Sequence, residues 1–252
     1  MDAHLVERVL VQSDERPVRF ANLSRTYRIG SASVLAIMVA PFLVLGASFV
    51  LLSATATRAA MLWMLKENHP VEILTFALAF FCSLAALRLA GALRSHGGDT
   101  ITCGFYTVFS LGLFVVAMEE IAWGQKLLGF DTPAVLHGLN RQDETTLHNM
   151  PGMHGRTEIL RLAFGLGGIA GLFLSASRRL RPIATPRLLW PWFVVITAHA
   201  GIDYYADLVR IDHDFDFLIR RTSELVELLI GAAGFLYILL NWARLAREGG
   251  PT

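Results

Sequence analysis

Six runs of apolar residues alternate with short polar segments along the chain: 30–52, 71–93, 101–123, 159–174, 188–209 and 218–240. Crossing a bilayer takes about 20 residues of helix, so each run is long enough, or nearly so, to span. Helices are the only open-ended structure that satisfies its own backbone in hydrocarbon. The pattern therefore predicts an all-α integral membrane protein, a bundle of about six transmembrane helices. The fourth run is the shortest, and carries Ala163, Gly167, Gly171 and Ser175 at four-residue spacing. Such a stripe lets a second helix approach closely, and packing inside the bundle is its expected use. Runs five and six hold the most polar residues, which fits helices facing the bundle interior.

The connections carry signals of their own. Met61, Leu62, Trp63, Met64 and Leu65 predict a short interfacial piece between runs one and two. The longest connection, 124–157, is expected to be a structured cap. Thr132 is placed to cap a short helix that opens at Pro133 and ends near Asn140. The resulting layout is an N-terminal segment 1–28, one six-helix domain 29–246 that includes the cap, and a tail 247–252. Residues 1–28 are mixed and polar, so no cleavable leader is expected; Leu5, Val6, Val9 and Leu10 could form an amphipathic turn lying on the membrane surface.

Composition agrees with the pattern: 54% of the residues are hydrophobic and 17% charged, against roughly 25% charged in soluble domains. A net charge of +1 argues against an electrostatic nucleic-acid footprint, which needs a clustered basic face. Cys82 and Cys103 lie inside apolar runs and read as small core residues rather than a disulfide framework. Arginine is concentrated on the side of the two termini: Arg8, Arg16, Arg19, Arg25 and Arg28, the short connection with Arg178, Arg179, Arg181 and Arg187, then Arg244 and Arg247. The positive-inside rule then puts both termini in the cytoplasm. Trp190, Trp192 and Trp242 mark that interface, and Trp63 and Trp123 the opposite one.

Against this background, Glu119 and Glu120 at the end of run three stand out, because a charge near hydrocarbon costs roughly 2.5–3.5 kcal/mol on insertion scales. With alternating span directions, several other segments deliver polar groups to the same leaflet. His199, Asp203 and Asp207 share one face of run five at i, i+4, i+8. Glu224 and Glu227 enter run six together, and the long connection adds Gln142, Glu144, His148 and Asn149. A mixed carboxylate and imidazole shell suits zinc, manganese or iron, with His148, His199 and Asp203 as the candidate ligands. The same groups can work without a metal, Glu119, Glu120, Glu224 and Glu227 serving as general acids or bases, or as a proton or cation relay. Trp123, Gln125, Gln142, Glu144 and Asn149 are the candidate substrate-binding residues. The plainer reading is structural pairing, since Arg156, Arg161, Arg220 and Arg221 lie near the same face. Asp212, Asp214 and Asp216 read as a solvated acidic turn.

The blocks Glu119-Glu-Ile-Ala-Trp-Gly-Gln-Lys126 and Glu144-Thr-Thr-Leu-His-Asn149, with Gly129-Phe-Asp-Thr-Pro133 between them, resemble a family of bacterial multi-pass membrane proteins. That family carries an E-E-[IL]-[SA]-W-G-Q-[KR] block and an E-T-[NT]-L-H-N block. The resemblance covers residues 119–149. It implies only that these residues belong to one site and brings no activity with it; the expected location is a bacterial inner membrane. A comparison with membrane hydrolases of the alkaline ceramidase type fails, because the H-x-x-x-H pair of that family is missing. The expectation is a membrane-embedded enzyme with its site near the outer leaflet, acting on a lipid or lipid-linked substrate. An assembly subunit, with a membrane-protein partner or a second copy of the chain, and a proton- or cation-coupled transporter are the alternatives.

Overall fold

In the computed structural model the described residues are 20–132, 145–146, 157–209 and 211–248. Eight helices organise them: α1 (Phe20–Tyr27), α2 (Ser31–Ser53), α3 (Thr55–Met64), α4 (Pro70–Ser95), α5 (Thr100–Glu120), α6 (Thr157–Phe173), α7 (Trp190–Leu208) and α8 (His213–Arg247). Short 3₁₀ turns and the single turn Gln125–Leu128 fill the connections. Five helices, α2, α4, α5, α6 (with the turn that follows it) and α8, are long and apolar enough to cross a membrane. Among the described residues there is no strand, and the five helices make the chain an integral membrane protein of the helical class. Helix α7 falls short of that standard because His199, Asp203 and Asp207 interrupt its 19 residues.

The apolar runs and the helices coincide in position and differ at their ends, for local reasons. Helix α4 starts on Pro70 at its first turn, where a missing N–H costs nothing, and Glu72 reaches back to accept from the Asn68 amide. The Asp99 carboxylate caps α5 by accepting from the Ile101 and Thr102 amides at 3.1 and 3.3 Å. Helix α8 is a turn and a half longer at its start than the apolar run at 218. Asp212 accepts from the Asp214 and Phe215 amides, and Asp214 and Asp216 occupy the first turn, where the helix dipole favours anions. The expected acidic turn is therefore a helix start.

Helix packing follows from small residues at the crossings. Gly231 of α8 lies against the Thr75 carbonyl and Leu78 of α4, and Gly234 against Cys82, Phe109 and Leu113. The close approach of α6 to α7 runs through Gly165 and Gly168, where an added Cβ would come within 2.3 Å of Thr197 and 1.9 Å of Phe193, and Gly171 continues it against the connection before α7, 2.2 Å from Thr185. Packing inside the bundle matches the sequence reading, but the stripe is different. Gly167 meets nothing and Ala163 is exposed, so the contact recurs every three residues rather than four.

Pro41, inside α2, cannot donate to the carbonyl four residues back. The Trp192 indole of α7 supplies the missing donor, reaching the Ile37 carbonyl at 2.7 Å. At the same end of the bundle, Tyr106, Tyr237 and Arg244 donate to the carbonyls of Pro182, Ile183 and Arg181. These bonds bind the arginine-rich connection to the helices. Phe105, Tyr106, Phe109 and Tyr237 stack above it as an aromatic layer. At the opposite end, α3 forms the expected short piece: Met61 and Leu65 pack on Leu52, Val71 and Leu225, and Trp63 meets His69 edge-on. Cys82 is buried, Cys103 half-buried, and both are free.

Candidate functional site

Run three stops as a helix at Glu120 and not at Trp123, because the backbone turns left-handed. Ala122, Trp123 and Gly124 have φ of 47°, 55° and 81°. Left-handed geometry costs a non-glycine residue roughly 1–2 kcal/mol, so the first two positions must be held by their surroundings. Ala122 is buried, and the Trp123 indole donates to Glu119 Oε1 at 2.6 Å. Beyond the turn, Gln125 donates to the Thr132 hydroxyl at 2.9 Å and accepts from the Thr145 amide and hydroxyl at 2.7 and 2.9 Å. Its amide thus ties two distant points of the long connection to the end of α5.

The turn presents the two glutamates to a cavity of about 440 Å³. One α-helical turn of α8 separates Gly231 from Glu227 and a further turn reaches Glu224. Thr75, opposite Gly231, is one turn from Glu72 on α4, and Leu113, opposite Gly234, is two turns from Glu120 on α5, so the packing glycines bring Glu72, Glu120 and Glu227 to about one level, with Glu224 a turn beyond. Glu67, Glu72, Glu119, Glu120, Glu224 and Glu227 all line the cavity, with Arg161 of α6 as the cation among them. Asn68, Thr157 and Ser223 add neutral polar groups, and an apolar part of the lining comes from Val115 and Val116 of α5, Leu160 and Phe164 of α6 and Ile230 of α8. Helices α5 and α6 do not pack closely on each other, and Val115, Val116 and Leu160 are exposed. Among the described residues the cavity therefore opens on an apolar flank.

Arg161 is buried, its side chain 7% exposed. Its Nη2 donates to Asp203 at 2.9 Å and to Thr157 at 3.3 Å, and its Nη1 stands 3.9 Å from Glu227. Among the described residues neither Nη1 nor Nε makes a hydrogen bond. His199, one turn before Asp203 on the buried face of α7, bonds through Nε2 to the Thr222 hydroxyl at 2.9 Å. That hydroxyl donates to the Leu218 carbonyl at 2.8 Å. It also reaches the Ile219 carbonyl at 3.1 Å, and among the described residues the buried His199 Nδ1 makes no hydrogen bond. Farther out, Arg220 joins Asp207 at 2.6 Å and Asp216 at 2.9 Å.

The site residues read from the sequence thus divide into groups. Glu119, Glu120, Glu224 and Glu227 are brought together. Trp123 and Gln125 stand beside the cavity as supports of Glu119 and of the long connection. Asp203 and His199 lie behind it, held by Arg161 and Thr222. Gln142, Glu144, His148 and Asn149, like the short helix expected at Pro133, lie outside the described residues. Structural pairing accounts for Asp203 and Asp207, with Arg161 and Arg220 as partners. Glu72 was not among the candidates, although its place in the first turn of run two puts it at the same end as the others. Among the described residues no group of three His, Cys, Asp or Glu is arranged to hold a metal ion. No protein-family model, curated protein or solved structure matches the chain, so its function is argued from its own residues.

Proposed function

We propose that the chain is a membrane-embedded enzyme that acts on a lipid or lipid-linked substrate entering the cavity between α5 and α6. The observation that carries this reading is the meeting of Glu120 and Glu224, from separate helices, in a cavity with one apolar flank. Neither carboxylate has a hydrogen bond or an ion pair among the described residues. Two such acids at the edge of a hydrocarbon region are costly to keep, and packing has no use for them. They are suited to proton transfer at a substrate headgroup, one as general base and the other as general acid. Arg161 supplies positive charge where negative charge develops. Trp123 and Gln125 hold the turn that aims Glu119 and Glu120.

Six spans, both termini cytoplasmic and the site near the outer leaflet of a bacterial inner membrane complete the proposal. The short arginine-rich connection at the far end of the bundle supports that orientation. The aromatic layer of Phe105, Tyr106, Phe109 and Tyr237 closes the described core away from the cavity, which favours an enzyme over a conduit. A metal-dependent version, with His148, His199 and Asp203 as ligands, requires Asp203 to exchange Arg161 for the ion. It predicts near one equivalent of zinc, manganese or iron in purified protein, lost on His199→Ala.

The test is conversion of lipid. Purified protein is reconstituted with a total membrane lipid extract and the lipids are followed by mass spectrometry. The proposal expects at least one species to be consumed by the unmodified protein and left intact by Glu120→Gln and by Glu224→Gln. Identical lipid profiles for all three proteins would overturn it.

A further inference from the structure

The chemistry that surrounds the cavity also restricts its ligand, and this inference rests on the lipid reading above. Two kinds of charged group line the same space. On the anionic side, Glu120 and Glu224 line the cavity with no cation paired to them among the described residues, and the Arg161 guanidinium is shared between Asp203 and Glu227. On the cationic side, Arg161, its side chain more than nine-tenths buried, also lines the cavity; among the described residues its Nε makes no hydrogen bond and its Nη1 has only the 3.9 Å approach to Glu227. A buried donor left unmatched is unfavourable by more than a satisfied one gains, so both vacancies favour a ligand that fills them together.

We infer that the ligand is a zwitterionic amphiphile, with an ammonium group taken by Glu120 and Glu224 and a neighbouring anionic oxygen group taken by Arg161. A purely anionic lipid would satisfy the guanidinium and be repelled by the acids. A purely cationic amphiphile would satisfy the acids and leave the guanidinium unmatched. Only a headgroup carrying both charges completes the site, and an aminoalkyl phosphodiester on an acylglycerol has that form. Its acyl chains lie along Val115, Val116, Leu160 and Phe164, on the flank where the cavity opens. An ammonium with N–H donors is favoured over a quaternary one, because carboxylates accept hydrogen bonds that a trimethylated nitrogen cannot give.

Calorimetric titration of the full chain in detergent tests this with three soluble probes: dihexanoyl phosphatidylethanolamine, dihexanoyl phosphatidic acid and octylammonium. The expected result is binding of the zwitterion about tenfold tighter than either singly charged probe. Glu120→Gln and Glu224→Gln are each expected to abolish its advantage over phosphatidic acid. Equal binding of either singly charged probe by the unmodified protein overturns the inference, as does retention of the preference in both variants. Lipid conversion, measured separately, keeps the two proposals apart. Selective binding of the zwitterion without conversion of any lipid removes the enzymatic reading and leaves the ligand assignment. Conversion of an amine-free lipid without preference for the zwitterion does the reverse.

Discussion

Arg161 and Asp203 show at the residue scale how one end of the bundle can hold both structural and unmatched charge. Their ion pair is buried on both sides, and removing one partner from such a pair leaves a charge in low dielectric at a cost of about 3–5 kcal/mol. Asp203→Ala should lower the unfolding free energy in detergent by about that amount, as read by denaturant titration. A loss well under 1 kcal/mol would show the pair to be solvated. His199 belongs with this structural group. His199→Gln retains a donor for Thr222 and is expected to be tolerated, with a fall in thermal midpoint of only a few degrees, whereas His199→Leu loses the bond and should fall further. From the sequence, His199 and Asp203 read as metal ligands because their i, i+4 spacing sets both on one face. Their hydrogen-bond partners in the fold, Thr222 and Arg161, come from two other helices, and no local spacing reveals a partner supplied by a third element.

The helix crossings carry the argument at the scale of elements. The existence of a small-residue contact on α6 was legible in the sequence, because glycines crowd that run. Its register was not. Sequence offers stripes at spacings of both three and four on the same helix, and the crossing angle that chooses between them depends on the partner, here Phe193 and Thr197 of α7. A paired substitution separates them. Gly168→Leu should destabilise by more than the about 1–3 kcal/mol typical of overpacking, while Gly167→Leu, on the open face, should leave the thermal midpoint unchanged; equal effects would refute the register. The left-handed turn at Ala122 and Trp123 was likewise hidden inside an apolar run, where hydropathy gives no sign of φ. Its latch is open to test, because the Thr145 amide donates to the Gln125 side chain. Gln125→Ala should speed hydrogen exchange at that amide by about tenfold, the loss of one hydrogen bond's worth of protection, with the α5 amides unaffected.

Across the whole molecule, the two ends of the bundle differ in kind. One is sealed by arginine and tyrosine donors on backbone carbonyls; the other gathers carboxylates around a cavity. Alternation of the spans was enough to bring Glu119, Glu120, Glu224 and Glu227 to one end, since the directions of successive helices follow from their number. Depth along each helix was not legible, because it is set by Gly231 and Gly234 at the α4, α5 and α8 crossings, and so Glu72 went unnoticed. The central claim is that Glu120 and Glu224 are retained for chemistry and not for packing. Removing charge from groups kept at the expense of stability should stabilise the fold or leave it unchanged, and removing charge from a structural pair should weaken it. The most direct measurement is the thermal midpoint of Glu120→Gln and Glu224→Gln against Asp203→Asn in the same detergent. The account predicts midpoints at or above that of the unmodified protein for both glutamate variants and a lower one for Asp203→Asn. A fall in both glutamate variants as large as that of Asp203→Asn would contradict it.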